Sequence, residues 1–314
     1  MADTQQTPAH PFPMPRARDT STGVAGLVRR RPLTAFLAWF FTVGQALVFT
    51  PSVARGYGVD LPPQVFVVAS TLVGLLLPAV VITWVVDGPA GVRDLWRRSS
   101  AVWVSVRWYV LALAAVPALS TALAFAVLGA PTAATGAASV GTALVSGLLV
   151  QTVVALVPNN WAEEVAWTGF VQSRLQARST PMRAAALTAP LFALQHVVLV
   201  IGDSVAVAVV LMLFFVAVNV PIRAVMGWTY NRTGSLFAVA LLHAAANGAG
   251  GGSGFGTGFL PRLYPDASLV GVLHLLALAV VGLVVLVATR GRLGASGSSR
   301  APSVVSTVAP VRSS

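Results

Sequence analysis

Cysteine is absent from the 314 residues, and so is lysine. Without cysteine there is no disulfide framework, no thiolate metal site and no cysteine nucleophile. Charge of either sign is scarce. Only 9% of the residues are charged, where a soluble domain carries about 25%. Glutamate occurs at two positions alone, the adjacent Glu163 and Glu164. The HExxH pattern of zinc peptidases is missing. No internal repeat stands out, which argues against a two-fold transporter architecture.

What fills the chain is apolar. Hydrophobic residues make up 56% and the mean hydropathy is +0.80. That composition predicts an all-α polytopic membrane protein. Eight apolar segments read as spans, at about 33–52, 64–86, 108–128, 141–172, 184–201, 204–222, 235–249 and 267–289. The fourth is too long for one straight span, and Pro158 predicts a kink or two helical pieces there. The first exceeds the roughly 7–15 residues of a signal-peptide core and reads as a retained span. Residues 1–31 and 291–314 read as disordered cytoplasmic tails around a transmembrane domain at 32–290.

All twenty basic residues are arginine, and net charge is +11. Arginines 16, 18, 29, 30, 31, 93, 97, 98, 107, 174, 178, 183, 223, 232, 290, 292, 300 and 312 fall on one side of an alternating eight-span arrangement. The other side holds only Arg55 and Arg262. By the positive-inside rule both termini are cytoplasmic. Topology thus accounts for the basic charge, and no nucleic-acid partner is implied. The expected surroundings are a lipid bilayer. The arginine-only, Ala/Val/Gly-rich composition points to the plasma membrane of a bacterium with a GC-rich genome. Between spans two and three, Trp96, Trp103 and Trp108 among arginines read as interfacial anchors on the cytoplasmic face.

Three of the apolar segments carry polar groups that lipid would reject. The fourth holds Glu163 and Glu164, the fifth His196, the seventh His243 and Asn247. An ionised carboxylate at mid-bilayer costs about 3 kcal/mol on translocon scales. Counted from Arg174, Arg183 and Arg232, Glu163, His196 and His243 lie 11, 13 and 11 residues into their segments. At about 1.5 Å per residue they come to one depth, about 16–20 Å from the inner boundary. His243 and Asn247 are four residues apart and project together, as do Phe192 and His196. Glu163 and Glu164 stand about 100° apart around a helix, so only one points squarely at a shared centre. Thr168, four residues on, is placed to give Glu164 a hydroxyl.

This set suits hydrolysis. A carboxylate sheltered from bulk water can act as general base, a histidine beside it can orient the water, and a second histidine with an amide can hold an oxyanion. Glu and two His are also common zinc ligands, so a zinc enzyme is a mechanistic variant. "GAGGGSGFGTG" at 248–258 is read as a connection, since it lacks the lysine of a phosphate loop. His274 is read as packing.

"EEVAWT" (163–168), "FALQH" (192–196) and "HAAAN" (243–247) occur in this order. They resemble the EExxxR, FxxxH and HxxxN motifs of the CPBP family of intramembrane proteases, related to the type II CAAX prenyl endopeptidases (the ABI family). The likeness covers roughly residues 140–250. It implies a cavity between spans four and seven that hydrolyses a peptide bond of a membrane-anchored substrate. In that reading Glu163 and His196 activate water, His243 and Asn247 form the oxyanion hole, and Glu164 and Phe192 support them. The resemblance implies no cofactor and disfavours zinc. One position departs: Thr168 stands where the motif has arginine, leaving Glu164 either protonated or paired with Arg223 from the sixth segment. That departure also keeps open a non-proteolytic scaffold or bacteriocin-immunity role. A transporter would instead need a polar path across the bilayer. Nothing in the residues indicates prenyl recognition.

Overall fold

A computed structural model describes residues 23–131, 136–251 and 256–295, and every regular element among them is helical. Helix α1 is Gly23–Arg30. Then come α2 (Pro32–Gly56), α3 (Pro63–Ser99), α4 (Val106–Leu128) and α5 (Ala137–Gln176). They are followed by α6 (Pro181–Gln195), α7 (Val205–Thr233), α8 (Leu236–Gly250), α9 (Phe259–Leu263) and α10 (Val270–Thr289).

Six of these, α2, α3, α4, α5, α7 and α10, are long and apolar enough to cross a membrane. The other two of the eight expected spans are shorter than that length. These, the fifth and seventh, are the 15-residue helices α6 and α8. At about 1.5 Å per residue each is about 22 Å long, short of a hydrocarbon core of about 30 Å. Helix α8 can be short because protein surrounds it, so it need not match the lipid. Twelve of its residues are buried, among them Ala238, Ala240, Ala244, Ala245, Ala246 and Ala249. Small side chains let neighbouring backbones come close without a volume penalty. Helices α4, α5, α7 and α10 pack around α8. A second cluster joins Phe36 and Phe40 of α2, Leu75 and Ile82 of α3, Trp167 and Phe170 of α5 and Phe192 of α6. Large apolar side chains remain exposed on the outside, such as Val209, Val210 and Leu213 of α7 and Val284 and Val287 of α10. That is the exterior that lipid, not water, accepts.

Three further expectations are narrowed or corrected. Of the two outcomes expected at Pro158, division into two pieces is not seen; helix α5 continues through a π-helical turn, Leu156–Asn160. Pairing five residues apart re-routes the hydrogen bonds around the missing proline N–H. The break falls instead in α3, where Gly88 has φ 67° and ψ −169° ahead of Pro89. The tails are shorter than expected in the described part. Residues 23–30 form α1, with Arg29 Nε donating to the Val85 carbonyl at 3.0 Å, and Leu293 is fully buried with its carbonyl accepting from Asn231 Nδ2 at 2.9 Å. The rest of both tails, 1–22 and 296–314, lies outside the described residues. Of the three tryptophan anchors, Trp96 and Trp103 are exposed, but Trp108 is buried against Trp228 at 4.9 Å.

Candidate active site

Helices α5, α6, α7 and α8 each bring polar side chains to one buried place. On α5 the pair Glu163–Glu164 sits in a short α-helical turn, Trp161–Glu164, between π-helical stretches Leu156–Asn160 and Val165–Gln172. Widened turns often accompany functional sites. Here they do not mark one alone, because α2, α3 and α4 contain them too.

Both glutamates are buried, Glu163 at 3% and Glu164 at 0% exposure. Their surroundings differ. Glu163 Oε2 accepts from Asn160 Nδ2 at 3.1 Å, and Oε1 accepts from Gln195 Nε2. Glu164 meets a cation and a hydroxyl. Arg223 Nη1 donates to Oε1 and Oε2, each at 3.1 Å, and Thr168 Oγ1 donates to Oε2 at 2.5 Å. His243 Nδ1 lies 2.9 Å from Glu164 Oε1 and 3.9 Å from Glu163 Oε2. A carboxylate facing a cation can only accept, so Nδ1 carries the proton in that contact. The expectation that one glutamate alone reaches the shared centre is therefore too strict. His243 stands between the two, and Glu164 reaches it more closely.

His196 ends α6. Its backbone has left the helix (φ −93°, ψ 10°) and leads into the 3-10 turn Val197–Val200. Nδ1 is 3.0 Å from the Phe192 carbonyl. A carbonyl accepts only, so Nδ1–H donates and a neutral ring keeps Nε2 as an acceptor. The Phe192 ring neighbours both histidines, its centroid 5.1 Å from that of His196 and 5.9 Å from that of His243. On α8, Asn247 does not stand free. Its Nδ2 donates to Asn160 Oδ1 at 3.1 Å.

The residues singled out in the sequence thus come together: Glu163, Glu164, Thr168, Phe192, His196, His243 and Asn247. Three more belong with them. Asn160, fully buried, joins Glu163 to Asn247. Gln195 holds Glu163 while its own Oε1 accepts from Trp167 Nε1 at 2.5 Å. Gln172 accepts from Arg223 Nε at 3.1 Å and Nη2 at 2.9 Å. Position offered some signal for these. Asn160 is one helical turn before Glu163, and Gln195 adjoins His196. Gln172 is one turn beyond Thr168, on the same face as Glu164. His274 is buried, as the packing reading expects, and its Nδ1 has no hydrogen-bond partner. Among the described residues, no group of three or more His, Asp or Glu donors is arranged to hold a metal ion.

Fold and site define an integral membrane protein of helices gathered around a buried Glu–Arg–His–Asn cluster. Residues 145–249 match the model of the family described as Type II CAAX prenyl endopeptidase Rce1-like. By this match the chain carries an Rce1-like region, in agreement with the CPBP likeness of its three motifs. The matched stretch runs from the first half of α5 almost to the end of α8 and includes every residue of the cluster. No curated protein and no solved structure gives a significant match to the chain.

Proposed function

We propose that the protein is an intramembrane endopeptidase hydrolysing a peptide bond of a membrane-associated protein or peptide. The observation that carries this reading is the meeting of Glu163 with Asn247 through Asn160 and with His243 at 3.9 Å, in a region that also matches a protease family. In this scheme Glu163 takes a proton from water as the oxygen bonds to the scissile carbonyl carbon. His196, with Nδ1 committed to the Phe192 carbonyl, presents Nε2 as an acceptor that orients that water. The tetrahedral oxyanion receives hydrogen bonds from Asn247 Nδ2 and the His243 ring. With Nδ1–H held by Glu164, His243 donates from Nε2 only when the ring carries both protons. The C–N bond then breaks, and the proton on Glu163 passes to the leaving amine. The scheme calls on no cofactor.

Eight crossings with both termini cytoplasmic complete the reading, with the site in a cavity between α5 and α8. The test uses purified protein in proteoliposomes and a library of membrane-anchored peptides. Cleavage is expected, and Glu163→Gln or His196→Ala should lower turnover by at least about 10³-fold with helical content unchanged, the range for losing a general base or its partner. Normal cleavage by folded Glu163→Gln overturns the mechanism.

One observation favours a second reading, a non-proteolytic membrane scaffold or immunity-type protein. Amides of Gln195 and Asn160 occupy both oxygens of Glu163, and Asn247 is engaged by Asn160. A cellular phenotype that needs the protein but survives Glu163→Gln would favour it. Comparison of membrane-protein termini in wild-type and Glu163→Gln cells would identify substrates in the first case and show no difference in the second.

A further inference from the structure

Arg223 is fully buried in α7, a helix otherwise dominated by apolar residues. A guanidinium there is tolerable only if its donors are satisfied. All three nitrogens donate. Nη1 donates to both oxygens of Glu164 at 3.1 Å, Nη2 to Thr168 Oγ1 at 2.5 Å and Gln172 Oε1 at 2.9 Å, and Nε to Gln172 Oε1 at 3.1 Å. The guanidinium carbon also lies 5.3 Å from the centre of the Phe192 ring. Gln172 is fixed in turn, its Nε2 donating to the Arg223 carbonyl at 3.0 Å. Gly227 makes this possible, since a Cβ there would overlap that amide.

The hydroxyl of Thr168 is the hinge of the arrangement. It accepts from Arg223 and donates to Glu164, and Glu164 Oε1 then meets His243 Nδ1 at 2.9 Å. The chain of contacts runs from α7 through α5 to the ring on α8. Residue 168 lies one turn from Glu164 on the same helix, a spacing at which a side chain contacts that carboxylate directly.

We infer that Arg223 is a positioning residue for His243: its guanidinium, with Thr168, fixes the Glu164 carboxylate that holds the His243 ring. The cation on α7 does the work that one at position 168 of α5 would do. The inference rests on the peptidase reading for its kinetic consequence but not for its structural one.

Two measurements keep those apart. The first is turnover of the peptide library by Arg223→Met, Thr168→Val and the relocation variant Thr168→Arg/Arg223→Met. Arg223→Met should lose about 10²-fold in kcat with KM within about 3-fold, the scale of a misplaced catalytic group. Thr168→Val should lose about 10-fold, and the relocation variant should recover to within about 10-fold of wild type. The second is the imidazole N–H proton spectrum of the ¹⁵N-histidine-labelled protein, with the His243 signal assigned by His243→Gln. A downfield Nδ1 proton should be present in wild type and the relocation variant and absent in Arg223→Met. If no peptide is cleaved, the peptidase reading falls and the spectrum alone decides the relay. Retention of the signal and of kcat in folded Arg223→Met overturns the inference. So does a relocation variant that folds and regains neither. Should Arg223→Met fail to fold, Thr168→Val takes its place, and an unchanged signal and kcat in that variant would overturn the inference.

Discussion

Asn160 shows how much one side chain decides in this site. Its amide is fully buried and used at both ends, donating to Glu163 Oε2 at 3.1 Å and accepting from Asn247 Nδ2 at 3.1 Å. Replacing it by alanine leaves a carboxylate oxygen and an amide without that partner in a dehydrated place. The expected loss is about 1–3 kcal/mol for each group left unsatisfied. The two sites are coupled, so Asn160→Ala/Asn247→Ala should cost less than the sum of the single variants. Unfolding in mixed micelles across that double-mutant cycle checks this, and strict additivity would show that the bridge contributes nothing. The residue scale is also where the sequence was most and least informative. Glu163, His196, His243 and Asn247 stood out because carboxylate, imidazole and amide are costly in apolar helices. Asn160, Gln195 and Gln172 did not, because a neutral amide is common in helices and only their spacing from Glu163, His196 and Thr168 set them apart. Arg223 was visible as an arginine near a span end, one of two outcomes for Glu164. Only the fold, with the Thr168 hydroxyl between the two charges, decides for pairing.

At the scale of helices, the apolar segments were legible and their interiors were not. Hydropathy locates a helix but does not register a π-helical turn, so the passage of α5 through Pro158 and the break of α3 at Gly88 were open until seen. The central element is α8, and its register against α5 depends on a missing side chain. A Cβ at Gly248 would lie 2.5 Å from Thr152 Oγ1 and 2.9 Å from the Leu148 carbonyl. Backbone cannot yield as a side chain can, so Gly248→Ala should push α8 from α5 and carry the adjoining Asn247 away from Asn160. A destabilisation of about 1–3 kcal/mol is expected, as for other overpacked sites. Gly271 of α10 is the matched control, since nothing lies within 4 Å of its Cβ position. Gly271→Ala should be neutral or slightly stabilising, because alanine is the better helix former. Similar stabilities for the two variants would contradict the close approach of α5 and α8.

For the whole molecule, the ten helices of the described residues must be fitted to a bilayer. Six are long enough to cross unaided. Helices α6 and α8 cross only if protein, rather than lipid, surrounds much of their length. In the proposed eight-crossing topology they do; if neither crossed, Arg232 would lie on the side opposite Arg97, Arg178 and Arg290. Because the protein has no cysteine, single cysteines report position without a background. Asp60→Cys and Asp203→Cys lie in exposed connections before α3 and α7, and Ser100→Cys and Arg178→Cys in exposed connections after α3 and α5. A membrane-impermeant maleimide applied to intact spheroplasts should label positions 60 and 203. Positions 100 and 178 should react only after permeabilisation. The comparison of 178 with 203 is the decisive one, since only α6 and its terminal 3-10 turn separate them. If both label from the same side, α6 does not cross. Since Gln195 holds Glu163, His196 would then reach the site from a helix that enters the bilayer and returns, and the eight-crossing topology would fall.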